Sequence, residues 1–223
     1  MIDYIDYFAG LNDLKGSEGE EYLLSRNIKI LPKKGVRFSG LEFEPETKKY
    51  TSSLVSVMTD GRMKINYLHK TFITAGRKVI NINAKKIFTA DGLQQEECKS
   101  CGSRLLDSTA VKLFNCGNTL GIAEGLETAL SATQIYDCPT WSLANATFLG
   151  NFVAPNNVKH LIIYADNDKS GRGLLAAFQC GNKNVVRKDG PEKVTIRCPT
   201  DVGDFNDMLF TQSDVQDWVL YKK

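Results

Sequence analysis

Three short acidic motifs stand out in the second half of the chain: Glu124-Gly125, Asp166-Asn167-Asp168 and Asp204-Phe205-Asn206-Asp207. Each follows a run that reads as a β-strand. These runs are Thr119–Ala123, the continuous apolar stretch His160–Ala165 and, before a short loop, Val194–Cys198. Unbroken apolar runs suit parallel strands covered on both faces. Parallel sheets bind their ligands beyond the carboxyl ends of their strands, so the acids are expected along one sheet edge. Carboxylates gathered in a partly dry cleft repel one another, and an oxygen-seeking divalent cation relieves that repulsion. Magnesium does so while keeping waters that phosphate oxygens displace. In extended geometry Asp166 and Asp168 share a face. Gly125 leaves room beside Glu124, and Gly171 and Gly173 open a helix whose N-terminus favours phosphate. Taken singly, each acid could do no more than cap the helix that follows it. The whole set, in this order, points to a metal–phosphate site.

The elements that must position these acids are legible in outline. The spacing of Leu126, Ala129, Leu130 and Thr133 predicts a helix over Leu126–Tyr136, and Leu174, Ala177 and Phe178 predict one over Ser170–Cys180. Pro139–Leu143 reads as a short strand. Ser213 and Gln216 have the spacing of a capping box, which predicts a final helix. Strands alternating with helices imply crossovers and an α/β fold with a mostly parallel sheet. Before residue 117 the pattern is mixed. A short helix is expected over Ser17–Ser25. Strands at Leu54–Met58 and Met63–Leu68 flank the hairpin turn Thr59-Asp60-Gly61-Arg62, and a second turn falls at Ala75-Gly76-Arg77. The expected organisation is a smaller α+β N-terminal subdomain over 1–116, an α/β catalytic domain over 117–210, and a C-terminal helix over 211–223.

Lys70, Arg77, Lys78, Lys85 and Lys86 cluster in the turn-rich first half, where they could contact template phosphates or an incoming triphosphate. The alternative is a solvated edge strand protected by lysine. Lys169 and Arg172, beside the central aspartates, are better placed to meet a triphosphate.

Composition sets the outer limits. The chain has 223 residues, 42% hydrophobic and 24% charged, and its 28 basic and 26 acidic side chains leave a net charge of +2. That is globular composition, and it rules out a strongly basic tail as the main route to nucleic acid while leaving room for a local basic patch. No run approaches the roughly 18 apolar residues of a membrane span. The N-terminus, with two early aspartates, lacks a signal pattern, so a cytoplasmic protein with no membrane partner is expected. The six cysteines fit reduced thiols. Cys98-x-x-Cys101, with Cys116 further on, invites a zinc reading. A structural zinc site needs four ligands, and only Cys138 or the distant His69 and His160 could complete it, so zinc is not expected. Trp141 and Trp218 read as packing residues.

The wording of the acidic motifs resembles a known family. Gly121–Ala132 (GIAEGLETALSA), Ile162–Gly173 (IIYADNDKSGRG) and Gly203–Leu209 (GDFNDML) are similar to the Toprim domain, and in particular to the Toprim primases carried by phages and plasmids. Glu21–Ile28 resembles a helical motif of that group. Asp60-Gly61, His69-Lys70-Thr71, Gly76-Arg77-Lys78 and Ala84-Lys85-Lys86 resemble its basic subdomain. The resemblance implies a Rossmann-like Toprim fold and a primase catalytic core, a nucleotidyltransferase of the DNA-directed RNA polymerase class. It implies Glu124 as acid or base and a shared ligand of the metal. It also implies Asp166 and Asp168 as catalytic metal ligands, Asp204 and Asp207 as further ligands, and Mg²⁺ or Mn²⁺ as cofactor. Single-stranded DNA and nucleoside triphosphates would be its substrates, a helicase or another replication protein its partner, and the host cytoplasm its location if phage-encoded.

The chain departs from the family in two respects. Residues 1–16 hold no cysteine, so the zinc module of bacterial primases is not expected here. Lys70 stands where the group commonly has arginine, and lysine cannot grip phosphate through two parallel hydrogen bonds. Two other functions use the same acids. A Toprim nuclease differs only in whether water or a hydroxyl attacks, and a non-catalytic regulator could use the fold to bind nucleic acid or a replication protein. A topoisomerase would need strand-passing domains for which there is no room.

Overall fold

The computed structural model describes residues 4–80, 82–89 and 108–222. The Cys98-x-x-Cys101 motif lies outside them, and the cysteines within them, Cys116, Cys138, Cys180 and Cys198, are free thiols. Helices α1 (Tyr4–Ala9) and α2 (Glu18–Ser25) precede strands β1 (Val36–Glu44), β2 (Lys49–Thr59), β3 (Ile65–Thr74), β4 (Arg77–Lys78) and β5 (Lys85–Thr89). Then follow β6 (Thr119–Ala123), α3 (Leu126–Tyr136), β7 (Thr140–Ser142), α4 (Ala146–Asn151), β8 (His160–Tyr164), α5 (Arg172–Val185), β9 (Lys193–Pro199) and β10 (Val215–Tyr221).

The N-terminal sheet is antiparallel, in the order β1-β2-β3-β4, with β5 also paired to β3. The expected turns hold its register. Asp60 Oδ1 accepts the amides of Arg62 and Lys64 at 2.8 and 3.1 Å, closing the β2–β3 loop. Ala75 and Gly76 take φ of 48° and 65°, the pairing of left-handed residues that suits a tight hairpin. Its outer face packs Val55, Val57 and Leu68 under Tyr4 of α1. Its inner face joins Leu54, Met58, Tyr67 and Ile73 to Tyr22 and Leu23 of α2 and to the rest of the molecule. Ser17 Oγ caps α2 by accepting Gly19 N–H at 3.1 Å, and Glu18, Glu20 and Glu21 lie at the helix's positive end.

The C-terminal sheet runs β10-β9-β8-β6-β7, with β9, β8, β6 and β7 parallel. β8 carries the continuous apolar run because strands lie on both its sides and helices on both faces. Gly121 in β6 is forced by close approach: a Cβ there would meet Thr140 Oγ1 at 2.3 Å and the Tyr164 ring at 2.8 Å. α5 lies on the sheet through small residues, Gly173, Ala176, Ala177, Cys180 and Gly181. It begins two residues later than expected and runs to Val185. α1 and α4 were not anticipated.

The expected C-terminal helix is absent, and residues 215–221 form β10, antiparallel to β9. The segment alternates the half-buried Trp218 and Leu220 with the exposed Val219 and Tyr221 and is rich in β-branched and aromatic residues, which suits a strand more than a helix. Trp218 stacks edge-on against Phe178 at 5.5 Å, and Arg197 grips the cross-strand Asp217 through bonds of 2.8 and 2.7 Å. Ser213 Oγ accepts Asp201 N–H at 3.3 Å, so no capping box forms. β10 thus covers an edge that β9 would otherwise expose.

The two sheets are not separate bodies. Residues Ala110 and Val111 form bridges to Thr59 of β2 and Ser142 of β7, and one continuous core runs across both sheets. Among the described residues, no helix is long and apolar enough to cross a membrane.

Candidate active site

The carboxyl ends of β6, β8 and β9 lie side by side, and the acids follow directly: Glu124 after β6, Asp166 and Asp168 after β8, and Asp204 after the loop from β9. Asn167 ties the last two segments together. Its backbone pairs with Gly203, and its Nδ2 donates to the carbonyls of Pro199, Thr200 and Asp201. The acids flanking Asn167 are therefore held at a fixed place relative to Asp204.

Asp166 is the electrostatic centre. Its Oδ1 is buried and has no hydrogen-bond partner among the described residues. Burial, then the charges of Asp204 and Glu124, push its carboxyl up to about 8, against the pull of Lys85. Burial also raises Glu124, with Lys85 and Arg172 opposing and Asp168 adding to the rise. Asp168 differs. Its carboxylate accepts the hydroxyl and amide of Ser170 and the amide of Gly173 (3.0 Å), which lowers its pKa and caps the turn into α5. A Cβ at Gly173 would come within 3.0 Å of the Asp166 carbonyl, so glycine lets the helix start close behind the acids. Asp204 Oδ1 accepts the amides of Asn206 and Asp207, and its Oδ2 accepts Thr128 Oγ1–H at 3.2 Å. Asp207 is exposed and accepts Asp204 N–H at 3.1 Å.

As the side chains stand, no group of three histidine, cysteine or acidic residues among the described residues is arranged to hold a metal ion. The donors nevertheless fit a hard divalent cation: all are carboxylate oxygens, and Asp166, whose Oδ1 has no partner among the described residues, is raised by burial and then by like charges that such an ion would offset.

The basic residues divide between two faces. Lys78 and Lys85 lie on the inner side, each 2.9 Å from Glu127. Lys85 also feels Asp204 and Asp166. Burial acts to lower its pKa, yet Glu127 and these acids raise it overall. Lys70 and Lys86 are a correction to the sequence reading. A strand alternates its side chains, so both point to the outer face. Lys86 is fully buried against Glu44 (2.7 Å) and Glu46 (2.5 Å), and Lys70 lies 2.6 Å from Glu42. Neither reaches the acidic edge. Arg77, Lys169 and Arg172 are exposed, Arg172 at the start of α5 with its charge acting on Glu124.

Sequence reasoning passed over several residues here. Glu127 is 2% exposed, and in sequence it looked like an ordinary acid in a helix's first turn. The signal was an acid beside the apolar face of α3. Tyr22 donates its hydroxyl to Glu127, and burial followed by Glu127's charge raises the tyrosine's pKa. Asn206 donates to the Arg26 carbonyl (2.8 Å) and Ser131 Oγ (3.0 Å), docking the Asp204 loop onto the turn after α2. On the inner face Ser56, His69 and Thr71 bury polar atoms with no hydrogen-bond partner among the described residues.

Residues 119–214, which span the acidic edge and most of the α/β half of the molecule, match the Toprim domain family. No curated protein matches the chain. Among solved structures it is similar to a DnaG primase catalytic domain bound to single-stranded DNA, at 10% identity and a TM-score of 0.55 over 95% of this chain and 77% of that one. It is also similar to the Aquifex aeolicus primase comprising zinc-binding and RNA polymerase domains, at 13% identity and a TM-score of 0.51 over 92% of this chain and 58% of that one. A DNA primase domain from Pseudomonas aeruginosa matches at 10% identity and a TM-score of 0.45, over 92% and 60% of the two chains. The chain thus spans about three fifths of the length of the Aquifex and Pseudomonas proteins. The two higher TM-scores show a common fold that includes the N-terminal sheet.

Proposed function

We propose that the chain is a DNA primase catalytic core that joins nucleoside triphosphates into short primers on single-stranded DNA. The observation that best supports this is Asp166, a buried carboxylate with an orphaned oxygen, crowded by Asp204, Glu124 and Asp168 and faced by Lys85. Asp166, with Asp168, Asp204, Asp207 and Glu124 around it, would hold Mg²⁺ or Mn²⁺. Such an ion supplies charge neutralisation at the triphosphate and acidifies the attacking hydroxyl. Glu124, its pKa raised by burial above the usual carboxylate value, is a stronger base than an exposed glutamate and is suited to take that proton. Arg172 and Lys169 offer cations to the triphosphate from the start of α5, while Lys85 and Lys78 offer them from the opposite wall. Arg77 is free to meet template phosphate. The DnaG domain above is bound to single-stranded DNA, the template class proposed here. A phage or plasmid setting, a cytoplasmic location and a helicase partner follow from the motif resemblance.

The test is primer synthesis on single-stranded DNA with labelled triphosphates and Mg²⁺ or Mn²⁺, with an end-labelled DNA lane to detect cleavage. Wild type is expected to give short products, and Asp166→Asn and Glu124→Gln to lose about 10³-fold in rate. Cleavage of the labelled DNA, lost in the same variants, would assign a nuclease instead. Neither product would leave a binding protein.

A further inference from the structure

Glu127 is a buried charge beside the site to which the chemistry above gives no task. It projects from the first turn of α3, is 2% exposed, and collects groups from three elements of the other subdomain. Lys78 of β4 lies 2.9 Å from its Oε1, Lys85 of β5 lies 2.9 Å from its Oε2, and Tyr22 of α2 donates to Oε1. Lys85 has a second set of neighbours. Its Nζ is 3.5 Å from where a Cβ on Gly125 would be, so it rests against the turn that carries Glu124. Its charge acts on Asp166, Asp204 and Glu124. Lys78 reaches Glu127, and Glu127 is the acid that acts most on it.

We infer that Glu127 is a positioning residue: it holds the Lys85 ammonium back from Asp166 and Asp204, leaving that ground to a divalent cation. The inference rests on the metal site proposed above. An ammonium on a flexible four-carbon stem and a divalent ion seek the same negative potential. A buried ammonium must have a partner. With Glu127 charged, Lys85 has one. Without it, the nearest carboxylates are those the metal needs, and lysine becomes a competitor. Lys78 completes the arrangement by keeping Glu127 paired on its other oxygen, so the clamp is not lost if Lys85 turns toward a triphosphate.

The experiment is Mn²⁺ titration of the full chain, without substrate, followed by electron paramagnetic resonance. Circular dichroism melting checks that each variant is folded. Glu127→Gln keeps the shape and removes the charge, and it is expected to weaken Mn²⁺ binding about tenfold. Lys85→Met is expected to tighten it. In the Lys85→Met background, Glu127→Gln is expected to change affinity by less than about twofold, because the competitor is gone. Equal weakening in both backgrounds would overturn the inference, since Glu127 would then act through its own field or through the fold. No weakening in the single variant would overturn it too. If Glu127→Gln does not fold, Lys85→Met decides alone, and failure to tighten binding overturns the inference. Wild type that binds no Mn²⁺ overturns the metal reading along with this one. Wild type that binds Mn²⁺ but makes no primers removes the primase reading and leaves this one standing.

Discussion

On the outer face of the N-terminal sheet, Lys86 is wholly buried between Glu44 and Glu46, and Lys70 lies against Glu42. On the inner face, Lys78 and Lys85 share one carboxylate, Glu127. The outer lysines are matched by at least as many acids within the same sheet and its hairpin, so their charge is closed. The inner pair leaves one positive charge over, and it faces the acidic edge of the C-terminal sheet. The same residue type on one strand, one position apart, therefore serves different ends: Lys86 anchors the β1–β2 hairpin, and Lys85 keeps charge available at the site. A closed ion pair stabilises the fold, whereas an open one can answer to a ligand.

The largest effect that separates the faces is on stability. Lys86→Met leaves Glu44, itself 1% exposed, without its buried cation, and breaking such a pair costs about 3–5 kcal/mol. Urea unfolding is expected to show that loss, while Mn²⁺ binding of the folded fraction stays as in wild type. Lost Mn²⁺ or DNA binding with unchanged stability would move Lys86 to the functional side and break the comparison.

The acidic edge was legible because its chemistry is local. Glu124, Asp166 and Asp204 each follow a strand, and strand ends in a parallel sheet converge. The lysines were legible only as a cluster. Which of them faces the site depends on strand parity, and the sequence reading places no strand at Lys85–Thr89 that could separate Lys85 from Lys86. Glu127 was hidden because its partners lie far away in sequence: Tyr22, Lys78 and Lys85. β10 was misread for a related reason. A capping-box spacing at Ser213 and Gln216 is a local signal, but the open edge of β9 and the packing of Trp218 on α5 are tertiary and decide the outcome.

Acid sharpens the comparison by a smaller amount. Burial, with the nearby Lys85, depresses His69 on the inner face from 6.5 to about 4. The unfolded chain takes up this proton below pH 6.5 and the folded chain only near pH 4, so stability falls as pH drops through that window. On the outer face Glu44 is held down at about 2, against the cost of burial, by Lys86 and the Thr47 and Glu46 amides. Its contribution is complete above pH 4.5 and is lost as pH falls toward 2. The inner face should therefore weaken first. Asp166 works in the opposite sense from about pH 8 downward, since its folded carboxyl takes a proton early. The quantity to measure is thus the difference between wild type and His69→Gln in urea midpoints from pH 7 to pH 4. His69→Gln should remove a decline on the order of 2–3 kcal/mol. Parallel curves would show that the imidazole is hydrated rather than sealed in the core.

The smallest expected difference lies in binding to single-stranded DNA. Each protein cation that neutralises a phosphate releases a counterion, so its removal flattens the dependence of log affinity on log salt by about 0.7 for a single strand. A cation contributes only if its charge is still open to solvent. Arg77 meets that condition: it is exposed on the β3–β4 hairpin beside Lys78 and forms no ion pair among the described residues. Lys70 does not, since it pairs with Glu42 and sits over the rings of Tyr7 and Phe88 at 5.3 and 5.0 Å. Arg77→Ala is therefore expected to lower the salt slope by about 0.7, and Lys70→Met to leave it unchanged. Fluorescence anisotropy with labelled single-stranded DNA at several salt concentrations measures both. If Lys70→Met flattens the slope as much as Arg77→Ala, a lysine held by Glu42 still meets the strand, and closed charge is no guide to function in this sheet.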